Sequence, residues 1–258
     1  MKLGMMQPYA FPYLGYFQLI HHCDKWVVFD DTQFVRKSWV TRNRVLHPEP
    51  AKQWQYVSIP VHHAPLGTMI ADVKIDRDRA WKESILGKLS SYRRASCYEE
   101  VSALVARCLD ADCESIAQWN VSALQSVCEY LGISFDYEYS SDLAYDRTAI
   151  THPGQWALET AGYLGASDYV NPAGGHEIFR AAEFSARGVA AFPPARAATL
   201  RAGQRRLRRG AVDRRCNDVE PGREDSRHAR CLCDHRSRTG TSGSTVRAIL
   251  KEFASKRP

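Results

Sequence analysis

Long apolar runs are missing from this chain. No segment approaches the ~20 consecutive apolar residues that a membrane span needs, so no membrane partner is expected. A secretory leader is not expected either. Gln7, Pro8 and Pro12 interrupt the apolar start, and no small-residue cleavage site follows. The expected location is the cytoplasm. Cysteine is too sparse for a disulfide framework: Cys23, Cys97, Cys108, Cys113 and Cys128 are scattered among helical patterns and read as reduced, buried thiols. The glycine loop at Asn171–Gly175 is neither a phosphate-binding nor a dinucleotide-binding signature, and the sequence leaves any cofactor unknown.

Aromatic residues are nearly absent from the end of the chain. Residues 1–192 hold 26 of the 27 aromatics, and Phe253 is the only one beyond. Residues 193–258 carry 15 arginines and 2 lysines against 7 acidic residues, a net of +10. The whole chain carries +6, so the first 192 residues carry −4. A basic pI that invites a nucleic-acid partner therefore belongs wholly to the tail. Between 193 and 245 the only large apolar residues are Leu200, Leu207, Val212, Val219 and Leu232. They bury too little surface to offset chain entropy, and no packed fold is expected there. The expected organisation is one domain over 1–192 and an Arg-rich, disordered tail over 193–258.

Within the first part, Lys2–Met6 reads as a strand, Pro12–Ile20 as the opening of a helix and Trp26–Phe29 as a buried strand. A loop with Trp39 and the basic stretch Arg42–Arg44 follows. Trp54–Val61 and Met69–Ile75 read as strands separated by a Pro65/Gly67 turn. Helical spacing then dominates. It joins Trp81, Ile85, Leu89 and Tyr92, then Val101, Leu104, Val105 and Cys108. The clearest stripe runs from Ile116 to Leu131 and is stopped by Gly132. Phe135–Tyr139 reads as a strand, Ala157–Tyr163 as a helix, Tyr169–Val170 as a last short strand, and a short helix is expected at Glu177. The expected class is α/β or α+β, a mixed sheet with flanking helices.

Several positions are candidates for chemistry. Gln7, Tyr9 and Tyr13 lie in or beside a proline-stiffened loop at a strand end, which suits a ligand site or a structural aromatic turn. Asp30 and Asp31 end an apolar strand with Gln33 close behind. Carboxylates there serve as a general base, as ligands for an amine or metal, or as turn and cap residues. Alternation would point only one of them into a cleft. Arg42, Asn43 and Arg44 suit a phosphate or carboxylate clamp or a solvated strand face. Asn171 opens a tight loop whose Gly174 and Gly175 amides suit an anion. Asn120 sits on an apolar helix stripe and reads as a satisfied core amide. No metal site is expected. His62 and His63 point to opposite sides of a strand, and the spacing of His228, Cys231, Cys233 and His235 matches no zinc pattern.

Three segments, MKLGMMQPYAFPYLGYFQLI, DKWVVFDDTQFVRKSWVTRNRV and YVNPAGG, resemble the WbqC-like family over roughly residues 1–190. Ala10 stands where a second aromatic is common and Thr41 where Asn is usual. The family's association with surface-polysaccharide gene clusters implies an O-antigen biosynthetic enzyme acting on a nucleotide-sugar small molecule. Acyl or aminoacyl transfer to the amine of a nucleotide-activated amino sugar fits this, with Asp30 or Asp31 as general base. In that reading Arg42 or Arg44 holds the pyrophosphate, Tyr9 or Tyr13 stacks on base or sugar, and Asn43 with the Gly174 and Gly175 amides polarises a carbonyl. The alternative is a non-catalytic sugar-nucleotide-binding or accessory protein of the same pathway.

Members of the family typically end in an F-V-x-x-L-S-I-x-D stretch, which this chain lacks. Back-translation of Gly203–Arg227 with suitable codons, read one nucleotide later, spells GNGGFVEALSIVDAMMWNPVEKIR. The tail therefore reads as out-of-frame DNA after a frameshift near residues 189–193, not as a nucleic-acid arm. Resequencing the locus is expected to show an extra or missing base there. A clean single frame through Pro258 would sink the idea.

Overall fold

A computed structural model describes residues 1–172 and 177–191. The expected tail lies outside the described residues. The chain opens with strand β1 (Lys2–Met6), helix α1 (Leu14–His22) and strand β2 (Lys25–Val28). A hairpin of β3 (Arg42–Leu46) and β4 (Trp54–Ser58) follows, then helices α2 (Lys82–Leu89), α3 (Tyr98–Leu109) and α4 (Ile116–Leu131). Strand β5 (Tyr137–Tyr139), helix α5 (Pro153–Tyr163), strand β6 (Asp168–Val170), helix α6 (Ala181–Ala186) and strand β7 (Ala190–Ala191) complete the fold.

The main sheet has the order β5-β2-β1-β6-β7, and every pair in it is parallel. Its central strands are apolar on both faces, as a parallel sheet covered on both sides requires. One face presents Trp26, Val28 and Val170 to α1 and α4. The other presents Leu3, Met5, Val27 and Tyr169 to α5 and α6. The chain winds from β1 through β2 to β5 with helices on the first face. It then returns through β6 to β7 with helices on the second. Crossovers of constant right hand demand that change of face when the direction of winding reverses. The order therefore diverges between β1 and β6, whose following segments leave to opposite faces. That is where open parallel sheets form a ligand crevice.

A third cluster joins the hairpin, α2, α3 and one side of α4. Helix α4 is shared. Ile116, Ala117, Trp119 and Ala123 face the hairpin layer, while Val121, Leu124 and Cys128 face the sheet. Its start is a capping box, in which Ser115 Oγ accepts from Gln118 N and Gln118 Oε1 accepts from Ser115 N. Its end is Gly132 at φ 68°, the left-handed position that glycine takes without steric cost.

Two strand expectations are corrected. Met69–Ile75 makes no strand. Met69, Lys74 and Ile75 each form a lone bridge to a different segment, so no ladder can grow, and Ile70–Asp72 closes a 3-10 turn instead. The basic stretch Arg42–Arg44, expected beside the Trp39 loop, lies in a strand over Arg42–Leu46, with Asn43 and Val45 buried and Arg42 and Arg44 on the opposite face. Its polar composition concealed the period of two. The short helix expected at Glu177 is present as 3-10 structure at Glu177 and Ile178, and α6 and β7 follow it as elements too short for a hydropathy pattern to mark.

Two buried amides fix the loop after β1. Asn120, 1% exposed, donates through Nδ2 to the carbonyls of Pro8 (2.8 Å) and Val40 (2.9 Å). Asn43 donates through Nδ2 to those of Ala10 (3.1 Å) and Phe11 (2.5 Å). Replacing Asn120 by Ala deprives two buried carbonyls of their donor, at roughly 1–3 kcal/mol each. The expected outcome is a urea-unfolding stability lower by about 2 kcal/mol or more; a change within the ~0.5 kcal/mol of an ordinary surface substitution would refute the clamp.

Candidate functional site

The carboxyl ends of β1, β2, β5 and β6 lie side by side and bring together residues from four distant stretches of sequence. Gln7 follows β1, Asp30 and Asp31 follow β2, Ser140 and Ser141 follow β5, and Asn171 follows β6. Gln7 Nε2 donates to Thr32 Oγ1 at 3.0 Å, which joins the first two segments across the sheet edge. Tyr16, fully buried beneath them, donates its hydroxyl to the Gln7 carbonyl at 2.9 Å.

The two aspartates have different surroundings. Asp30 is 2% exposed. Its Oδ1 accepts from Ser141 N (3.0 Å) and its Oδ2 from Ser141 Oγ (2.9 Å). Burial pushes its pKa above the usual carboxylate value, although these hydrogen bonds oppose the shift. Asp31 is half-buried and pairs through Oδ2 with Arg147 Nε at 2.8 Å. Its Oδ1 is buried with no hydrogen-bond partner among the described residues. Arg147 is held in turn. Its Nη2 donates to the Ser140 carbonyl (2.6 Å), its Nη1 to the Tyr145 carbonyl (3.3 Å), and its guanidinium lies 4.5 Å from the Tyr145 ring centre. A fixed cation, a half-open carboxylate and a carboxylate-bound hydroxyl can together receive an amine and stabilise negative charge.

The other candidates sit on the loop after β1, on the segment after β2 and on the separate β3–β4 hairpin. Tyr9 is half-buried with its ring 6.0 Å from that of Tyr16, and burial raises its pKa. Tyr13 is half-buried and precedes α1 as its cap residue. Gln33 is exposed and bridges through its backbone to Met69. Asn43 faces the loop after β1 and spends its amide there. Arg42 and Arg44 lie across β3 from it. The Arg42 guanidinium stacks 4.3 Å from the Tyr56 ring centre, and that of Arg44 stacks 4.2 Å from Trp54 and 5.4 Å from Trp39. Among the described residues neither arginine makes an ion pair, and the Nε of each is buried without a partner. Gly174 and Gly175 lie outside the described residues, as do His228, Cys231, Cys233 and His235.

His62 and His63 are both exposed. Among the described residues no group of three or more His, Cys, Asp or Glu is gathered so as to hold a metal ion, and no helix is long and apolar enough to cross a membrane. The five cysteines of this part are free, and burial pushes the Cys23 and Cys128 thiols up to about 12.

Ser141 and Arg147 were not singled out in the sequence. A signal for Arg147 was present: it is the lone basic residue between Ile133 and Ile150, amid Asp136, Glu138, Asp142 and Asp146. Ser141 carries no such mark.

A doubly wound, parallel α/β domain with two aspartates at the carboxyl end of its sheet is the class that this fold and site define. The chain belongs to the WbqC-like protein family, whose model matches residues 7–192. It is similar to the uncharacterized protein Rv1507c of Mycobacterium tuberculosis, with 27% identity over 146 residues, 53% of this chain and 62% of that one. The chain thus spans less than two thirds of that relative's length. No solved structure matches.

The raised pKa of Asp30 has a definite sign in stability. A carboxyl whose folded pKa lies above its unfolded value near ~3.9 stabilises the fold most below that value, and the contribution is lost as pH rises through the folded pKa. Compared with the Asp30→Asn variant, the natural chain should lose relative stability as pH rises from ~4 toward neutrality. Urea unfolding of both proteins across that range measures this, and an opposite slope would contradict the assigned burial effect.

Proposed function

We propose that the protein is a cytoplasmic enzyme of surface-polysaccharide biosynthesis that transfers an acyl or aminoacyl group to the amine of a nucleotide-activated amino sugar. The polysaccharide setting rests on the family resemblance. One observation carries the chemistry: Asp31 is tied to Arg147 through one oxygen, while its other oxygen is buried without a partner among the described residues. A buried, unpaired carboxylate oxygen is costly, by about 1–3 kcal/mol or more, and an amine donor relieves that cost. The same oxygen is then suited to take the proton that the amine must lose as it attacks an acyl carbon.

Arg42 and Arg44 support the nucleotide half of the reading. Ring stacking holds both guanidiniums, and neither charge is neutralised by a carboxylate among the described residues. Such guanidiniums suit a diphosphate, and Trp39 and Trp54 beside them suit a planar base.

The test is incubation of the full chain with UDP- or dTDP-amino sugars and a panel of acyl donors, followed by mass spectrometry of the sugar. Addition of one acyl group at the amine is expected. Asp31→Asn should slow it by about 10²–10⁴-fold, the usual worth of a general base. Saturable nucleotide-sugar binding with no mass change for any donor would overturn the catalytic reading in favour of a non-catalytic binding protein.

A further inference from the structure

Beside the Asp31–Arg147 pair stands a second, differently built pair that the transfer just described does not use. Ser141 is exposed at the carboxyl end of the sheet, directly after β5. Its Oγ donates at 2.9 Å to Oδ2 of Asp30, which is withdrawn from solvent. The same carboxylate receives the Ser141 backbone amide on its other oxygen at 3.0 Å. This double attachment fixes both the position of the hydroxyl and the direction of its proton. A serine whose proton already points at a buried carboxylate is a nucleophile paired with its base. A further positive group stands one residue away, since Arg147 Nη2 bonds the carbonyl of Ser140 at 2.6 Å. This contact braces the turn that presents Ser141.

We propose that Ser141 is an acyl-accepting nucleophile, with Asp30 as its base, and that acyl groups from a thioester pass through an ester on this serine before reaching the amine. The proposal deepens the acyl-transfer reading and rests on it. In the first half, the Ser141 Oγ–H proton moves to Asp30 as the oxygen bonds to the acyl carbon. The carbon–sulfur bond then breaks, and the thiolate leaves with the proton that Asp30 returns to it. In the second half, the acceptor amine bonds to the same carbon, the carbon–oxygen bond breaks and Ser141 regains a proton. That proton is the one the attacking neutral amine gives up, taken by Asp31 and passed on to the serine oxygen, so one proton leaves nitrogen and one returns to oxygen. No electrons are exchanged with any other reagent. The two adjacent aspartates thereby serve two successive steps: the one bound to serine loads the acyl group, and the one with an unpartnered oxygen receives the amine.

The first half can be tested without knowing the natural donor. The full chain is mixed with p-nitrophenyl acetate, quenched in acid, and digested for peptide mass spectrometry. One acetyl group is expected on the peptide that carries Ser141, with a matching burst of p-nitrophenolate. Asp30→Asn should slow loading by about 10²-fold, and Ser141→Ala should abolish it. Ser141→Cys should restore acetylation at position 141, which separates loss of the nucleophile from loss of the fold. Absence of the acetyl group, its location elsewhere, or its persistence in Ser141→Ala would overturn the proposal. The amino-sugar assay separates this failure from that of the parent reading. Undiminished acylation of the sugar by Ser141→Ala would mean direct transfer, which sinks the serine intermediate and leaves the acyl-transfer reading intact.

Discussion

One side-chain nitrogen, Nδ2 of Asn120, holds the loop that the site is built on. It donates to the carbonyls of Pro8 and Val40, residues that belong to different layers of the molecule. The loop from Gln7 to Tyr13 needs such help. Its two prolines have no N–H to give to regular structure, yet Pro8, Ala10 and Pro12 are buried. Phe11 adds a left-handed φ of 47°, a conformation that costs a non-glycine residue of order 1 kcal/mol or more. The buried carbonyls must find donors elsewhere. Asn120 and Asn43 supply them, and the Ala10 amide closes the circuit on the Trp39 carbonyl at 2.8 Å. The hairpin layer and the sheet layer are thereby docked through a polar network inside an otherwise apolar contact.

That docking explains why α4 is buried on two sides. A helix that carried only a sheet-facing stripe would leave the hairpin cluster without a floor. Trp119 and Ala123 provide it, with the Phe11 and Trp81 rings edge-on to Trp119 at 5.4 and 6.0 Å. The sheet then has to meet α4 through a narrow set of contacts. Gly4 shows how tightly the sheet packs beside its own neighbours: a Cβ there would lie 2.7 Å from Cys23 Sγ and from the Trp26 ring. The middle strand of the sheet can accept the bulky Trp26 of its neighbour only because it carries no side chain at that point.

Much of this architecture was legible in the sequence, for reasons that differ by element. Lys2–Met6 and Ile116–Leu131 were readable to the residue because each is a continuous or regularly spaced apolar pattern with clear stop signals, Pro8 and Gly132. The strand Arg42–Leu46 was not, because its outward positions hold arginines that are stabilised by ring stacking, which period-two hydropathy does not detect. Met69–Ile75 deceived in the other direction, since apolar alternation says nothing about whether a partner strand exists. In the candidate site, the carboxylates and Gln7 were visible because they follow strands directly. Ser141 and Arg147 were not, because their roles arise from contacts across 111 and 116 residues of sequence. Such contacts depend on β5 pairing with β2, and nothing local in either strand announces the pairing.

The divergent fates of Asp30 and Asp31 follow from that same pairing. Adjacent residues at the end of a strand point to opposite sides, so a single neighbouring segment would be expected to engage one and leave the other to solvent. The chain after β5 engages both because it turns twice. Ser141 meets Asp30 at the first turn, and Arg147 returns six residues later to meet Asp31. The cation that reaches Asp31 is braced on the Ser140 carbonyl, one residue before the serine that binds Asp30. Each contact therefore positions the other: displacing the serine loosens the carbonyl that orients the arginine, and removing the arginine frees the turn that presents the serine. Two carboxylates only one residue apart are kept electrostatically distinct by this arrangement, one withdrawn from solvent with a raised pKa and one neutralised on a single oxygen. The difference comes from the path of one connecting segment and not from the two aspartates themselves.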